Sequence, residues 1–180
     1  MDAQLTDPGD AGRSPTEEYM GGSKGNTKFD GIRWDQHFQT FVADRNFNGQ
    51  TVGFTFDTNQ IRSDELLASL TPTANRIWMT HNSWFKKFRD FVAADRLSQF
   101  RTLLSQEDPP LTITAKQIRD SLTCPYMITI RPVDDSHCVR IDFSGGGHDW
   151  GGTDCRLSDY HVEASATLDG GFDDATIFTY

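Results

Sequence analysis

Between Trp84 and Leu104 the large apolar side chains fall on two stripes instead of one. At about 100° per residue, Trp84, Phe85, Phe88, Phe91 and Val92 share a stripe, whereas Leu97, Phe100, Leu103 and Leu104 centre about 100° further round. A straight helix cannot bury both in one groove. The spacing therefore predicts two helices with a bend or break near Ala94–Asp95, Asp95 serving as N-cap of the second. Each piece needs an apolar surface to cover it. That surface is supplied further on, where Tyr160, Val162, Ala164, Ala166 and Leu168 alternate with His161, Glu163, Ser165 and Thr167 at the period of a half-buried strand. Tyr126 to Arg131 and Cys138 to Phe143 are further β-rich runs, predicting a hairpin around Pro132-Val133-Asp134-Asp135-Ser136. Asp169-Gly170-Gly171 predicts a turn into a last strand from Ala175 to Tyr180.

Ahead of the aromatic segment the signals are shorter. Trp34, Phe38, Phe41 and Val42 lie at i, i+4, i+7 and i+8, which predicts a helix from Trp34 to Asn46 with His37 on it. Asn48-Gly49 marks a turn, and Val52, Phe54 and Phe56 alternate as a strand. Ser63-Asp64-Glu65 supplies a cap and first-turn acids for a short helix through Leu66, Leu67 and Leu70, ending before Pro72. Thr114-Ala115-Lys116-Gln117 matches a capping box opening a helix through Ile118 and Leu122. The expected class is α+β, with helices in the first two thirds packed on a mainly antiparallel C-terminal sheet. Residues 1–31, rich in Gly, Asp, Ser, Thr and Pro, read as a flexible or partner-bound arm, in which Tyr19 and Met20 would touch the partner. Residues 32–180 read as a single domain.

The chain holds 17 Lys and Arg against 26 Asp and Glu, a net charge of −9. That excess argues against general nucleic-acid binding, which requires phosphate neutralisation. The sum is uneven. Residues 76–106 carry 6 basic and 2 acidic residues, whereas residues 134–180 carry 2 and 10. A membrane span is not expected, because no window approaches the roughly eighteen apolar residues a span needs. A secretory signal is not expected either, which points to a cytoplasmic location or one inside an assembled particle. Cys124, Cys138 and Cys155 are odd in number and lack a Cys-x-x-Cys pair, so free thiols are expected.

Two constellations invite a chemical reading. The first is Ser144-Gly145-Gly146-Gly147-His148-Asp149-Trp150-Gly151-Gly152-Thr153-Asp154-Cys155, whose glycines would bring backbone amides to an anion or simply connect two strands. A thiol or metal-assisted hydrolase would use His148 as acid or base, Cys138 or Cys155 as nucleophile and Asp149 or Asp159 as orienting group. Neither a zinc, EF-hand or metalloprotease pattern nor a cofactor fingerprint is matched, so no metal or cofactor is expected. The second is basic: Lys86, Lys87 and Arg89 interleave with aromatics, as in a partner-binding helix or a core helix with solvated cations. The +4 segment would also suit docking against the acidic last quarter, in the same chain or another copy. The leading expectation is a non-catalytic interaction or structural protein within a larger assembly, such as a virion component or an acidic neutraliser of a basic partner. Its partners would be other proteins or further copies of itself.

Overall fold

A computed structural model describes residues 29–107, 109–133, 138–146, 157–169 and 171–179. The strands are β1 (Arg33–Asp35), β2 (Thr40–Phe47), β3 (Gln50–Phe56), β4 (Met127–Val133), β5 (Cys138–Gly146), β6 (Tyr160–Thr167) and β7 (Gly171–Thr179). Between β3 and β4 lie α1 (Asp64–Met79), α2 (His81–Asp95), α3 (Leu97–Leu104) and α4 (Ala115–Ser121). The class is mixed α+β. All four helices precede β4–β7, but three strands precede the helices, so the sheet is not confined to the last third.

The strands form one sheet in chain order. Every neighbouring pair is antiparallel except β3 and β4, which run parallel from Gly53↔Met127 to Phe56↔Ile130. A hairpin cannot join parallel neighbours; a crossover is needed, and here all four helices make it. They cover one face, burying Phe41, Ala43, Val52, Phe54, Phe56, Ile128, Ile130, Ile141, Phe143, Val162, Ala164 and Ala166. Intervening residues such as Val42, Asp44, Thr55, Met127, Thr129 and Asp142 point the other way by the alternation of the pleat.

Helix α2 is the main contact with that face. Trp84 and Phe88 stack on Phe143 at 5.7 and 5.8 Å between ring centroids, and Phe85 meets Phe47 edge-on at 5.0 Å. Phe100 of α3 meets Tyr160 at 5.8 Å. The two stripes are thus buried by separate helices. The break falls at Arg96, beside the expected place; Asp95 closes α2 instead of capping α3, and Asp95 Oδ2 pairs with Arg96 Nε at 3.2 Å. The capping box forms as expected, with Gln117 Oε1 accepting from Thr114 N at 2.9 Å and Thr114 Oγ1 from Gln117 N at 3.2 Å.

Two expectations are corrected. The predicted helix from Trp34 to Asn46 is a β-hairpin, β1 and β2, with Trp34 opposite Phe41. Asp35 decides it: Oδ1 accepts the backbone amides of His37 and Phe38 at 2.9 and 3.1 Å, which folds the chain back. The helix starting at Ser63 does not stop at Pro72 but continues to Met79. Pro72 is solvent-exposed, while Leu70, Thr73, Ala74 and Ile77 are buried on the other side. Burying a Leu and an Ile at about 1.5–3 kcal/mol each outweighs the about 3 kcal/mol cost of an interior proline.

At the arm boundary, Phe29 is buried and packs edge-on against Phe54 and Phe56 at 4.8 and 5.8 Å, with the Arg45 guanidinium 3.9 Å from its ring. Core packing thus begins two residues before the drawn limit at residue 31. The rest of the predicted arm, with Tyr19 and Met20, lies outside the described residues, as does hairpin loop 134–137.

Gly145 and Gly146 belong to β5, where they pair with Val162 and His161. A Cβ on Gly145 would lie 3.0 Å from both Leu122 Cδ1 and Phe88 Cε1. This glycine is required for close helix approach. Gly145→Ala should therefore lower stability by about 1–3 kcal/mol in urea unfolding, as overpacked cores do; an unchanged midpoint would refute that tight contact. Pro72→Ala should raise stability by about 2 kcal/mol, once an about 1 kcal/mol gain in unfolded-chain entropy is subtracted. A lower midpoint would mean that the core packing requires the proline.

Candidate functional site

The face opposite the helices carries a groove of about 540 Å³ over β1–β4. Val42, Gly53, Thr55, Met127 and Thr129 line it from the strands, Phe38 and Gln39 from the β1–β2 turn, and Asp57 and Gln60 from the segment after β3. Gly53 shapes its floor, since a Cβ there would meet Met127 Sδ at 3.0 Å. The thioether instead lies across the strand and accepts a hydrogen bond from Thr55 Oγ1 at 3.1 Å.

Phe38 is 69% exposed at one end of this groove. The turn beneath it is fastened by Asp35, and Gln39 adopts a left-handed φ of 50°; Asn59 and Gln60 do likewise at 55° and 63°. Each such side-chain-bearing residue costs about 1 kcal/mol, which the surrounding structure sustains. The rim is acidic. Asp35, Asp44 and Asp57 face a single cation, Arg33, which pairs with Asp44 at 3.2 Å. Asp57 Oδ1 accepts the backbone amide of Asn59 at 2.9 Å. Apolar floor, fixed exposed aromatic and negative rim together suit a basic polypeptide with an apolar anchor better than a small neutral molecule.

Further along the same face is a polar cluster. The Tyr126 hydroxyl and His161 Nδ1 are hydrogen-bonded at 2.6 Å. Burial holds the His161 imidazole below the ordinary 6.5. Asp142, 4% exposed, receives Arg131 Nε at 2.9 Å and Ser165 Oγ at 2.5 Å. Burial first, and then the Asp142 carboxylate, push Glu163 above its usual range, with Arg131 opposing. The cluster offers a neutral imidazole and a phenol, a general acid–base pair in principle.

Of the residues expected from sequence, Cys138 and Asp159 fall among the described residues. Cys138 is exposed at the start of β5, a strand 9 residues long, so its ends are roughly 26 Å apart at about 3.3 Å per residue. Asp159 is exposed immediately before β6, at the end of the sheet remote from Cys138. His148, Asp149, Asp154 and Cys155 lie outside the described residues. Among the described residues no three of His, Cys, Asp and Glu gather as a metal ion would require.

The basic residues also separate. Lys86 Nζ pairs with Asp90 at 2.6 Å, Lys87 Nζ lies 5.4 Å from the Trp84 ring centre, and Arg89 lines a cleft beside β2. Docking of the basic segment on the acidic quarter occurs within the chain: Arg96 Nη2 meets Asp174 at 3.1 Å and Arg76 Nη1 meets Asp169 at 3.6 Å. Sequence reasoning missed Phe38, Tyr126 and the groove acids. The available signals were Asp35 four residues ahead of Gln39 and the turn-prone run Asp57-Thr58-Asn59-Gln60.

His161 generates a pH prediction. Its folded pKa is depressed, so the unfolded chain binds more protons as pH falls through about 6.5, and stability declines from neutral toward acid pH. His161→Gln should therefore lose less melting temperature than the parent between pH 7 and pH 5. Equal losses would refute a half-buried imidazole held neutral by desolvation. Comparisons with known protein families, with curated proteins and with solved structures returned no match.

Proposed function

We propose that this protein is a non-catalytic interaction protein acting within a larger protein assembly, with the groove over β1–β4 as its partner-facing surface. The observation that carries the reading is Phe38, a large aromatic held out in water on a turn fastened by Asp35. Leaving a phenylalanine unburied forgoes about 1.5–3 kcal/mol, which a partner pocket would recover. The acids on the rim favour a basic partner, as an acidic neutraliser or a component of an assembled particle would meet. A cytoplasmic setting is compatible with this reading, and no helix among the described residues is long and apolar enough to cross a membrane.

A second reading keeps an acid–base function at the other end of the same face, favoured by the 2.6 Å Tyr126–His161 hydrogen bond. It retains the hydrolase alternative centred on the Gly-rich loop 144–161, with Cys138 or Cys155 as nucleophile.

The test uses the partner recovered with the chain from its source and then purified. Phe38→Ala should weaken that complex at least tenfold by calorimetry while moving the melting temperature by less than about 2 °C, the scale of a surface change of under about 0.5 kcal/mol. Asp57→Asn should weaken it by a smaller factor and flatten its salt dependence. Wild-type affinity in both variants would sink the groove as the interface. Loss of a turnover in His161→Ala, with the complex intact, would shift the assignment to the second reading.

A further inference from the structure

Arg89 makes no hydrogen bond and no ion pair among the described residues, and its Nε is shut off from solvent with no acceptor in reach. A guanidinium N–H withdrawn from water and left unpaired is costly, so its neighbourhood merits chemical attention. The adjacent carboxylate is engaged elsewhere: Asp90 takes Lys86 Nζ at 2.6 Å and Arg119 Nε at 2.7 Å. Arg89 instead lines a cleft of about 380 Å³ between α2, the β2–β3 turn and Thr123 ahead of β4.

The lining is donor-rich. Asn82, Phe85 and Arg89 follow at i, i+3 and i+7 and share one face of α2. Across from them, Gln50 Oε1 accepts from Cys124 Sγ at 3.0 Å and Thr123 Oγ1 at 3.3 Å, which leaves its amino group as a donor. The Asn82 amide has no hydrogen-bond partner among the described residues. Although the chain carries a net charge of −9, no Asp or Glu lines this cleft. Phe47 and Phe85, edge-on at 5.0 Å, form an apolar wall beside the donors.

We propose that this cleft binds a small molecule through one oxyanion group, a carboxylate or a phosphate, with Arg89 as the guanidinium clamp and Asn82 and Gln50 as flanking amide donors. The guanidinium fork matches either anion with two parallel hydrogen bonds, and the anion supplies the acceptor that the Nε proton lacks. The volume lies at the lower end of the roughly 300–1,000 Å³ usual for ligand sites, leaving room for a small apolar body against the two rings. This site is on the helix side of the sheet and independent of the groove.

The experiment titrates the full chain with acetate, benzoate and inorganic phosphate at constant ionic strength, with sodium chloride as reference, following backbone and side-chain amides by NMR. Saturable shifts at Gln50, Asn82 and the Arg89 Nε–H are expected with an oxyanion and not with chloride. Benzoate binding several-fold tighter than acetate identifies a carboxylate ligand; phosphate binding tighter than both identifies a phosphate one. Arg89→Gln should weaken binding at least tenfold, Arg89→Lys less, and Lys86→Gln, which removes a neighbouring charge outside the cleft, not at all. Should Arg89→Gln fail to fold, Asn82→Ala is expected to weaken binding threefold or more. No saturable response to any of the three anions, undiminished binding in Arg89→Gln or Asn82→Ala, or an equal loss in Lys86→Gln overturns the proposal.

Discussion

The aromatic face of α2 is the contact from which the rest of the architecture follows. Trp84 and Phe88 lie on Phe143 of β5, both reach Phe172 of β7, and Phe85 lies on Phe47 of β2. One helix thereby ties strands from both halves of the sheet. Full burial of three such side chains is worth about 1.5–3 kcal/mol each, against about 0.5–1.5 kcal/mol for a typical neutral hydrogen bond. Its geometry also dictates Gly145, because only a residue without Cβ lets Phe88 and Leu122 come so close to the strand.

The parallel pairing of β3 with β4 then divides the labour of the two faces. A parallel neighbour can be reached only by a crossover, and a crossover of four helices occupies most of one side of the sheet, with Phe29 covering the part over Phe54 and Phe56. The opposite side is released from core packing, and several of its cross-strand pairs are polar: Thr129 opposite Asp142, Asp142 opposite Ser165, and Ser144 opposite Glu163. At β3 the polarity lapses, with Gly53 exposing a floor of Val42 and Met127. Phe178 of β7, 45% exposed beside His161, is a second apolar point on this face.

Features set by neighbours in the chain were legible in the sequence. The Thr114–Gln117 box, the alternation of β6 and the break beside Asp95 all depend on residues within a few positions of one another. Trp34 to Asn46 misled because Phe41 satisfies a helical period with Trp34 and a strand period with Ala43 and Phe47. The tie was broken by an Asp35 side chain that the periodicity ignores. Pro72 misled because a local stop signal was overridden by burial of Leu70 and Ile77 on a distant sheet. The groove was illegible for a different reason: Phe38, Gly53, Asp57 and Met127 converge only once β3 pairs with β4, across some seventy residues of intervening chain. The glycine-dense run drew notice for conformational freedom, whereas what Gly145 provides in β5 is the absence of a side chain.

Charge separates the two faces further. On the helix side and the β7 edge the acids are largely answered by cations: Arg96 by Asp174, Arg140 by Asp173 in a two-bonded pair, Asp90 by Lys86 and Arg119. These pairs are at least partly exposed and contribute at most about 1 kcal/mol each, so their main effect is to cancel field locally rather than to hold the fold together. Around the groove the cancellation is incomplete, because Asp35 and Asp57 each turn Oδ1 to backbone amides and form no ion pair among the described residues. The carboxylates that rigidify the turns are therefore also the source of the negative rim. Turn geometry and electrostatic character at this surface are properties of the same two side chains, which only a substitution to Asn separates, by keeping the acceptor oxygen and removing the charge.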